Sequence, residues 1–266
     1  MFMSYTYLFA VLTIIALISA VAYKWSFLHT KKIAYISLIQ YIYLVVVPGI
    51  LFSVIFSFII DVIKKPLNTE IFLSDKLLVV LVLLSTIYTY GGTVIHTIAK
   101  TLSRFFTPDQ KDSFVYKVNK YFHLKFSHNL SFAGASSSAV FLSLLEINHL
   151  PESETGNFIL PFFNGLALGF VFIISIVRYH KFDKNKDIAE YFEIKPWSDL
   201  KFFFYAFALL FIIFIYGAKP YLKTIKYYPI TLSMLVTSFE IILFTFFLYS
   251  RRLYRKNKLR SSQKNI

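Results

Sequence analysis

The feature that most constrains this chain is a series of apolar segments, each about long enough to cross a lipid bilayer. A membrane-spanning helix needs about 20 mostly apolar residues, and six runs come close to or exceed that length. A seventh run is interrupted by Gly134 and three serines, but small residues are common where membrane helices pack closely. The sequence therefore predicts an all-α, polytopic membrane helix bundle. The predicted spans are Tyr5–Ala22, Ile33–Ile63, Leu77–Ala99, Leu130–Ile147, Asn157–Val177, Phe202–Gly217 and Pro229–Ser250.

The distribution of Lys and Arg decides between six spans and seven. Cytoplasmic loops of membrane proteins carry an excess of these residues. Seven spans with the N-terminus outside place 22 Lys and Arg inside and 6 outside, whereas the best six-span arrangement gives 16 and 12. We therefore predict seven spans, N-out and C-in, with Leu130–Ile147 as a true span. The first run is read as an uncleaved helix, because no Lys or Arg precedes it and Lys24 follows it.

Composition supports a membrane location and limits the classes of partner. Hydrophobic residues make up 57% of the chain and charged residues 16%, against about 25% charged in a typical soluble domain. The net charge of +14 is interpreted as loop charge that meets anionic headgroups at the cytoplasmic face, not as a nucleic-acid surface. The predicted location is the plasma membrane. The absence of Cys excludes disulfides and thiolate metal sites, and no oligomeric state is predicted.

The sequence also predicts the structure of three segments outside the spans. Residues Asp112–Ser127 mix apolar and basic side chains, which predicts an amphipathic helix on the inner leaflet. Asp187–Lys195 is predicted to form a second short cytoplasmic helix. Residues 251–266 form a basic cytoplasmic tail that is expected to be disordered or bound to lipid. Pro48 in the second span predicts a kink.

Glu240 is the leading candidate for function inside the bilayer. An ionisable residue deep in a span is costly and is by default a functional candidate, and Glu240 lies midway along Pro229–Ser250. Tyr88, Thr89 and Asn164 lie at similar depth on other spans. Together these four side chains predict a substrate or ion path. Gly165 and Gly169 form a small-xxx-small pair that allows a close helix approach.

Histidines form the second candidate group. His96 lies close to the cytoplasmic end of the third span. His123 and His128 precede the fourth span and His180 follows the fifth, so topology puts all four at the cytoplasmic face. Imidazoles at one face can act as acid and base or bind a metal. We therefore keep His96, His123 and His128 as possible metal or acid–base residues, and the sequence assigns no cofactor.

One short motif resembles a known family and is excluded. Gly134-Ala135-Ser136-Ser137 resembles the GxSG motif of rhomboid intramembrane proteases, but the fourth position is Ser, and the last two spans lack the His that those enzymes require. A microbial rhodopsin is also excluded, because Pro229–Ser250 has no Lys.

Three functions remain open from the sequence. The first is transport of a small solute or ion through a polar bundle interior, which Glu240 favours. The second is an enzyme on lipid or a lipid-linked substrate that uses the cytoplasmic histidines. The third is a non-catalytic assembly or accessory protein. The sequence does not decide whether the chain is an enzyme.

Overall fold

Six long helices dominate the residues that the structure describes. The structure is a computed structural model that describes residues 5–22, 26–68, 73–151, 158–179, 192–194 and 227–264, and this part of the chain is mostly helical. In chain order the elements are α1 (Tyr5–Ala22), α2 (Ser26–Thr30), β1 (Lys32–Ile33), β2 (Ile36–Ser37), α3 (Leu38–Tyr41), a π-helical turn (Ile42–Val46), α4 (Val47–Ile63), α5 (Asp75–Leu102), a 3-10 turn (Pro108–Asp112), α6 (Phe114–Tyr121), a second π-helical turn (Phe122–Phe126), α7 (Ser127–Ile147), α8 (Ile159–Ile176), β3 (Val177–Tyr179), β4 (Phe192–Ile194) and α9 (Pro229–Lys264).

Three continuous helical stretches are long and apolar enough to cross a membrane. They are Leu38–Ile63, Asp75–Leu102 and Phe114–Ile147, and two shorter apolar helices cover Ile159–Val171 and Pro229–Phe244. Only 17% of the apolar window of Leu38–Ile63 is buried within the protein. Contiguous exposed apolar surface marks a membrane or partner contact, so these helices are consistent with a membrane location.

The predicted span boundaries differ from the helices at one point in particular. The helix of the second span begins at Leu38, not Ile33, because β1 and β2 form a tight antiparallel hairpin there. Ala34 in its turn has a φ of 53°, a left-handed conformation that no α-helix accommodates. The sixth predicted span, Phe202–Gly217, lies outside the described residues.

Three segments between and after the spans also differ from their predicted structure. The amphipathic Asp112–Ser127 segment is not a separate surface helix, since α6 continues through the second π-helical turn into α7. Within Asp187–Lys195, β4 pairs with β3 where a helix was expected. The basic tail continues the helix of the last span as far as Lys264, because Lys, Arg, Leu and Gln are good helix formers.

Pro48 lies just after a π-helical turn. Proline has no N–H, so the carbonyl of Leu44, four residues earlier, lacks its helical donor. The Tyr90 hydroxyl of α5 donates to the Leu44 oxygen at 3.1 Å instead. A hydrogen bond from another helix thus replaces the one that the proline removes.

Helices α5 and α7 pack closely as an antiparallel pair. Gly92 faces the backbone of Ser127 and Ser131, and Gly134 faces the backbone of Ser85 and Thr89. The hydroxyl of Ser131 donates to the Thr89 carbonyl at 3.2 Å. Small residues let the backbones approach, and hydroxyls then bond across the helices, as is usual between membrane helices.

Helices α8 and α9 also pack closely, but they run in the same direction. Ser233 Oγ donates to the Pro161 carbonyl at 2.7 Å, and one turn further along both helices Thr237 Oγ1 donates to the Gly165 carbonyl at 2.9 Å. A Cβ atom at Gly165 would lie 2.6 Å from the backbone carbonyl oxygen of Ser233. Gly165 therefore provides the close approach that its spacing with Gly169 predicts.

The buried apolar core lies at one end of the bundle, where α4 and α7 end and α5 and α9 begin. The backbone ties this end together, since Asn68 N donates to the Asn148 oxygen at 2.7 Å and Leu150 N donates to the Pro66 oxygen at 2.9 Å. The core side chains are Ile55, Phe58, Ile59, Val62, Leu78, Val82, Leu142, Leu144, Leu145, Ile147, Tyr228, Ile230 and Met234.

Candidate functional site

A central cavity lies where the six long helices meet. Its volume is about 200 Å³, larger than the roughly 150 Å³ cavity that holds benzene in an engineered protein core. None of its described lining residues carries a charge, and the lining is apolar apart from five hydroxyls. The lining residues are Leu12, Ala16, Leu51, Ile55, Thr86, Thr89, Ala135, Ser136, Ser138, Ala139, Val140, Leu142, Leu168, Ile230, Met234 and Ser238.

The hydroxyls on one wall of this cavity differ in how their protons are used. Thr86 donates to the Val82 carbonyl at 2.7 Å and Thr89 donates to the Ser85 carbonyl at 2.9 Å. Ser138 lies 3.5 Å from Thr86 and is therefore the donor in that pair, because the Thr86 proton is already engaged. Ser136 is 4% exposed, and its oxygen has no hydrogen-bond partner.

Glu240 lies at the seam between α8 and α9 and does not line the cavity. Its side chain occupies the space beside Gly169, where a Cβ atom would collide with the carboxylate. Its Oε2 atom is buried without a hydrogen-bond partner, and so is Nδ2 of Asn164 on α8. Each of these two helices thus carries one predicted path residue, Asn164 on α8 and Glu240 on α9.

The four predicted path residues are not brought to one place. Thr89 lines the central cavity, whereas Glu240 lies at the α8–α9 seam, and neither Glu240 nor Asn164 lines the cavity. Tyr88 is 54% exposed on the surface of α5, a position that suits contact with lipid. Other polar residues of α5, such as Ser85 and Thr86, are buried and lie against α7.

The three described histidines of the predicted cytoplasmic group do converge. The ring centroid of His96 lies 4.7 Å from that of His123 and 4.7 Å from that of His128. His96 Nδ1 lies 3.3 Å from the His123 carbonyl oxygen, which only accepts, so this nitrogen carries the proton. His123 belongs to the second π-helical turn, a feature that is frequent at functional sites.

The histidine cluster, defined as His96, His123 and His128, is not arranged around a metal position. Across the described ranges, no group of three His, Cys, Asp or Glu side chains is placed to hold a metal ion. His180, the fourth member of the predicted group, lies outside those ranges. The chemistry that this geometry supports is proton transfer or binding of a polar headgroup.

At the opposite end of the bundle lies a polar network that no sequence pattern indicates. His149 is 1% exposed; its Nδ1 donates to the Lys65 carbonyl at 2.8 Å, and its Nε2 lies 2.9 Å from Asp75 Oδ2. Asn148 Nδ2 donates to the Leu73 carbonyl at 2.6 Å and to Asp75 Oδ1 at 2.9 Å. These contacts join the end of α7 to the start of α5.

Glu146 caps the first turn of α9. Its carboxylate accepts hydrogen bonds from Ile230 N at 3.1 Å, from Thr231 N at 2.8 Å and from Thr231 Oγ1 at 2.8 Å. The first N–H groups of a helix lack partners within it, and a negative charge there is favoured by the helix dipole. The cost of an ionisable residue within a span, which singles out Glu240, applies equally to Glu146, one residue from the end of the fourth predicted span.

Comparison with protein families, curated proteins and solved structures finds no match to this chain.

Proposed function

We propose that this chain is a seven-span plasma-membrane protein that binds a single-chain amphiphile in its central cavity and moves it between the two leaflets. The observation that carries the proposal is the cavity itself, which lies where all six long described helices meet. In bundles, ligand sites are commonly built between the helices. The bundle interior remains the path predicted from the sequence, with the central cavity replacing Glu240 as its centre.

The directions of the helices support seven spans. Helices α8 and α9 run parallel, so an odd number of crossings is needed between them, which the predicted span Phe202–Gly217 would supply. Helix α7 is antiparallel to α5, because Gly92 lies beside Ser127 while Gly134 lies beside Ser85. The end of α7 also meets the start of α9, where Glu146 accepts from Thr231 N, as expected for a second antiparallel pair. These directions match spans three, four, five and seven of the arrangement.

The distribution of Lys and Arg supports the N-out, C-in orientation and favours a substrate with a negatively charged headgroup. The N-out, C-in arrangement places 22 Lys and Arg at the cytoplasmic side, and the histidine cluster lies on that side with Lys100 and Lys125. Basic residues near the cytoplasmic surface attract anionic lipids. The cavity has no described charge of its own, which suits an acyl chain better than an ion.

The topology is tested with reporter fusions. A reporter inserted near Gln110 is expected to report the cytoplasm, and one near Glu152 the outside, because Leu130–Ile147 crosses the membrane between them. Paired alkaline phosphatase and fluorescent protein fusions measure this, with a fusion after Lys264 as the cytoplasmic reference. Reporters on the same side at both positions would overturn the seven-span arrangement.

The transport proposal is tested by filling the cavity. The purified chain is reconstituted in liposomes that contain lysophosphatidylglycerol with an NBD-labelled acyl chain, and bleaching by external dithionite reports exchange between the leaflets. Ala139→Phe and Ala16→Phe place a ring in the cavity from α7 and α1, and each is expected to lower exchange to the rate of protein-free liposomes.

Gly49→Phe is the matched control, because a Cβ at Gly49 meets nothing within 4 Å, and its exchange is expected to equal that of the unmodified chain. Exchange that survives both cavity-filling variants, in protein that remains folded, would contradict the proposal.

The convergence of the three histidine rings favours a second function, an enzyme that acts on a lipid headgroup at the cytoplasmic face. The liposomes with labelled lysophosphatidylglycerol also distinguish the enzyme from the transporter. Conversion of the labelled lipid to a new species on chromatography, lost on His96→Ala but retained on Ala139→Phe, would identify the histidine cluster as the functional centre. No exchange and no conversion would favour the accessory role.

A further inference from the structure

Ser136 is the one hydroxyl on the α5–α7 wall of the cavity whose oxygen lacks a partner. Serine and threonine in a helix commonly donate to the carbonyl four residues earlier, as Thr86, Thr89 and Ser143 do here. Ser136 makes no such bond, although it is 4% exposed and lies among apolar side chains. A buried polar group without a partner is costly and needs an explanation.

The other hydroxyls on this wall already donate to protein acceptors, so Ser136 is the donor that remains for a ligand. The protons of Thr86 and Thr89 point to carbonyls of α5, and the Ser138 proton points to Thr86. Ser136 therefore offers a hydrogen-bond donor at mid-length on α7, in a cavity whose described lining carries no charge. The complementary group on a ligand is an uncharged acceptor.

We propose that Ser136 donates a hydrogen bond to the ester carbonyl of the bound amphiphile, which makes an ester-linked, single-chain lipid the substrate class. This inference rests on the proposed function. Lipid tails are as apolar as the cavity wall, so burial of a hydrocarbon chain alone provides little driving force. An ester carbonyl accepts a hydrogen bond more strongly than an ether oxygen, so a bond from Ser136 favours an ester-linked chain over an ether-linked chain of the same length.

The test compares two probes that differ in one carbonyl. The full chain is given NBD-labelled lysophosphatidylglycerol with either an ester-linked or an ether-linked chain, and both binding in detergent micelles and exchange in liposomes are measured. We expect the unmodified chain to prefer the ester about five-fold, the value of one net hydrogen bond. Ser136→Ala is expected to abolish the preference by weakening ester binding alone.

Ser137→Ala is the matched control, because Ser137 is adjacent on α7 but does not line the cavity, and the preference is expected to remain. Ser136→Ala removes a hydroxyl without partners, so its melting temperature should not fall. Equal binding of both probes by the unmodified chain, or a preference that survives Ser136→Ala, would overturn this inference.

The two proposals fail in different ways. Exchange that is blocked by Ala139→Phe but shows no ester preference keeps the transport proposal and rejects the role of Ser136. Ester-selective binding that depends on Ser136, without any exchange, keeps the binding site and rejects transport. If neither probe binds, both proposals are rejected.

Discussion

Glu146→Ala is expected to destabilise the protein by about 3–5 kcal/mol, because two buried backbone donors lose their acceptor and the Thr231 hydroxyl keeps only a 3.4 Å contact to the Ser143 carbonyl. Each buried donor that loses its partner costs about 1–3 kcal/mol, and the carboxylate accepts from the backbone of Ile230 and from both donors of Thr231. Glu146 is 3% exposed, so water cannot readily replace it. The start of α9 would then separate from the end of α7.

The effect is measured by thermal unfolding of the purified chain in detergent, monitored by near-ultraviolet circular dichroism. Glu146→Gln keeps the shape and one acceptor oxygen, so its loss of stability is expected to be less than half that of Glu146→Ala. Asp112→Ala is a control, because Asp112 is exposed, and no shift is expected. An unchanged melting temperature for Glu146→Ala would show that α9 is held by other contacts.

Gly92→Leu is expected to prevent α5 and α7 from packing, whereas Gly91→Leu, at the adjacent position, is expected to be tolerated. A Cβ at Gly92 would lie 2.6 Å from both Ser127 O and Ser131 N, which are backbone atoms that cannot rotate away. A Cβ at Gly91 meets nothing within 4 Å. Overpacking a well-packed contact costs about 1–3 kcal/mol for a small insertion, and four added carbons exceed that.

Size-exclusion chromatography and thermal unfolding of the two variants measure the difference. Gly92→Leu is expected to give aggregated protein with no cooperative transition, and Gly92→Ala an intermediate loss. Gly91→Leu is expected to elute and melt as the unmodified chain does. Equal behaviour of both leucine variants would mean that Gly92 does not face α7.

Hydrophobic runs predicted where helices lie, but not every boundary. The first run coincides with α1, and Leu77–Ala99 falls within α5. The start of the second helix was misplaced because Ile33 is apolar but belongs to a hairpin whose turn has a positive φ. Apolar composition reports burial or lipid contact and says little about backbone dihedral angles.

The candidate sites were less predictable, because depth along a span does not reveal which helix a side chain faces. Glu240 was selected for its depth, yet its carboxylate lies beside Gly169 and away from the cavity. Glu146 lies near the end of a span, so only the packing of α9 against α7 gives it a partner. The histidine cluster was grouped by topology, and its described members do lie together.

The hydrogen bond from Tyr90 to the Leu44 carbonyl has a mechanical consequence. A helix resists bending because of its own backbone hydrogen bonds. Pro48 removes one of them, and the Leu44 carbonyl is instead bonded by a side chain of α5. Bending of this helix near Pro48 would therefore lengthen its hydrogen bond to Tyr90 of α5. A displacement of this helix would therefore act on α5, the helix that carries the cavity residues Thr86 and Thr89.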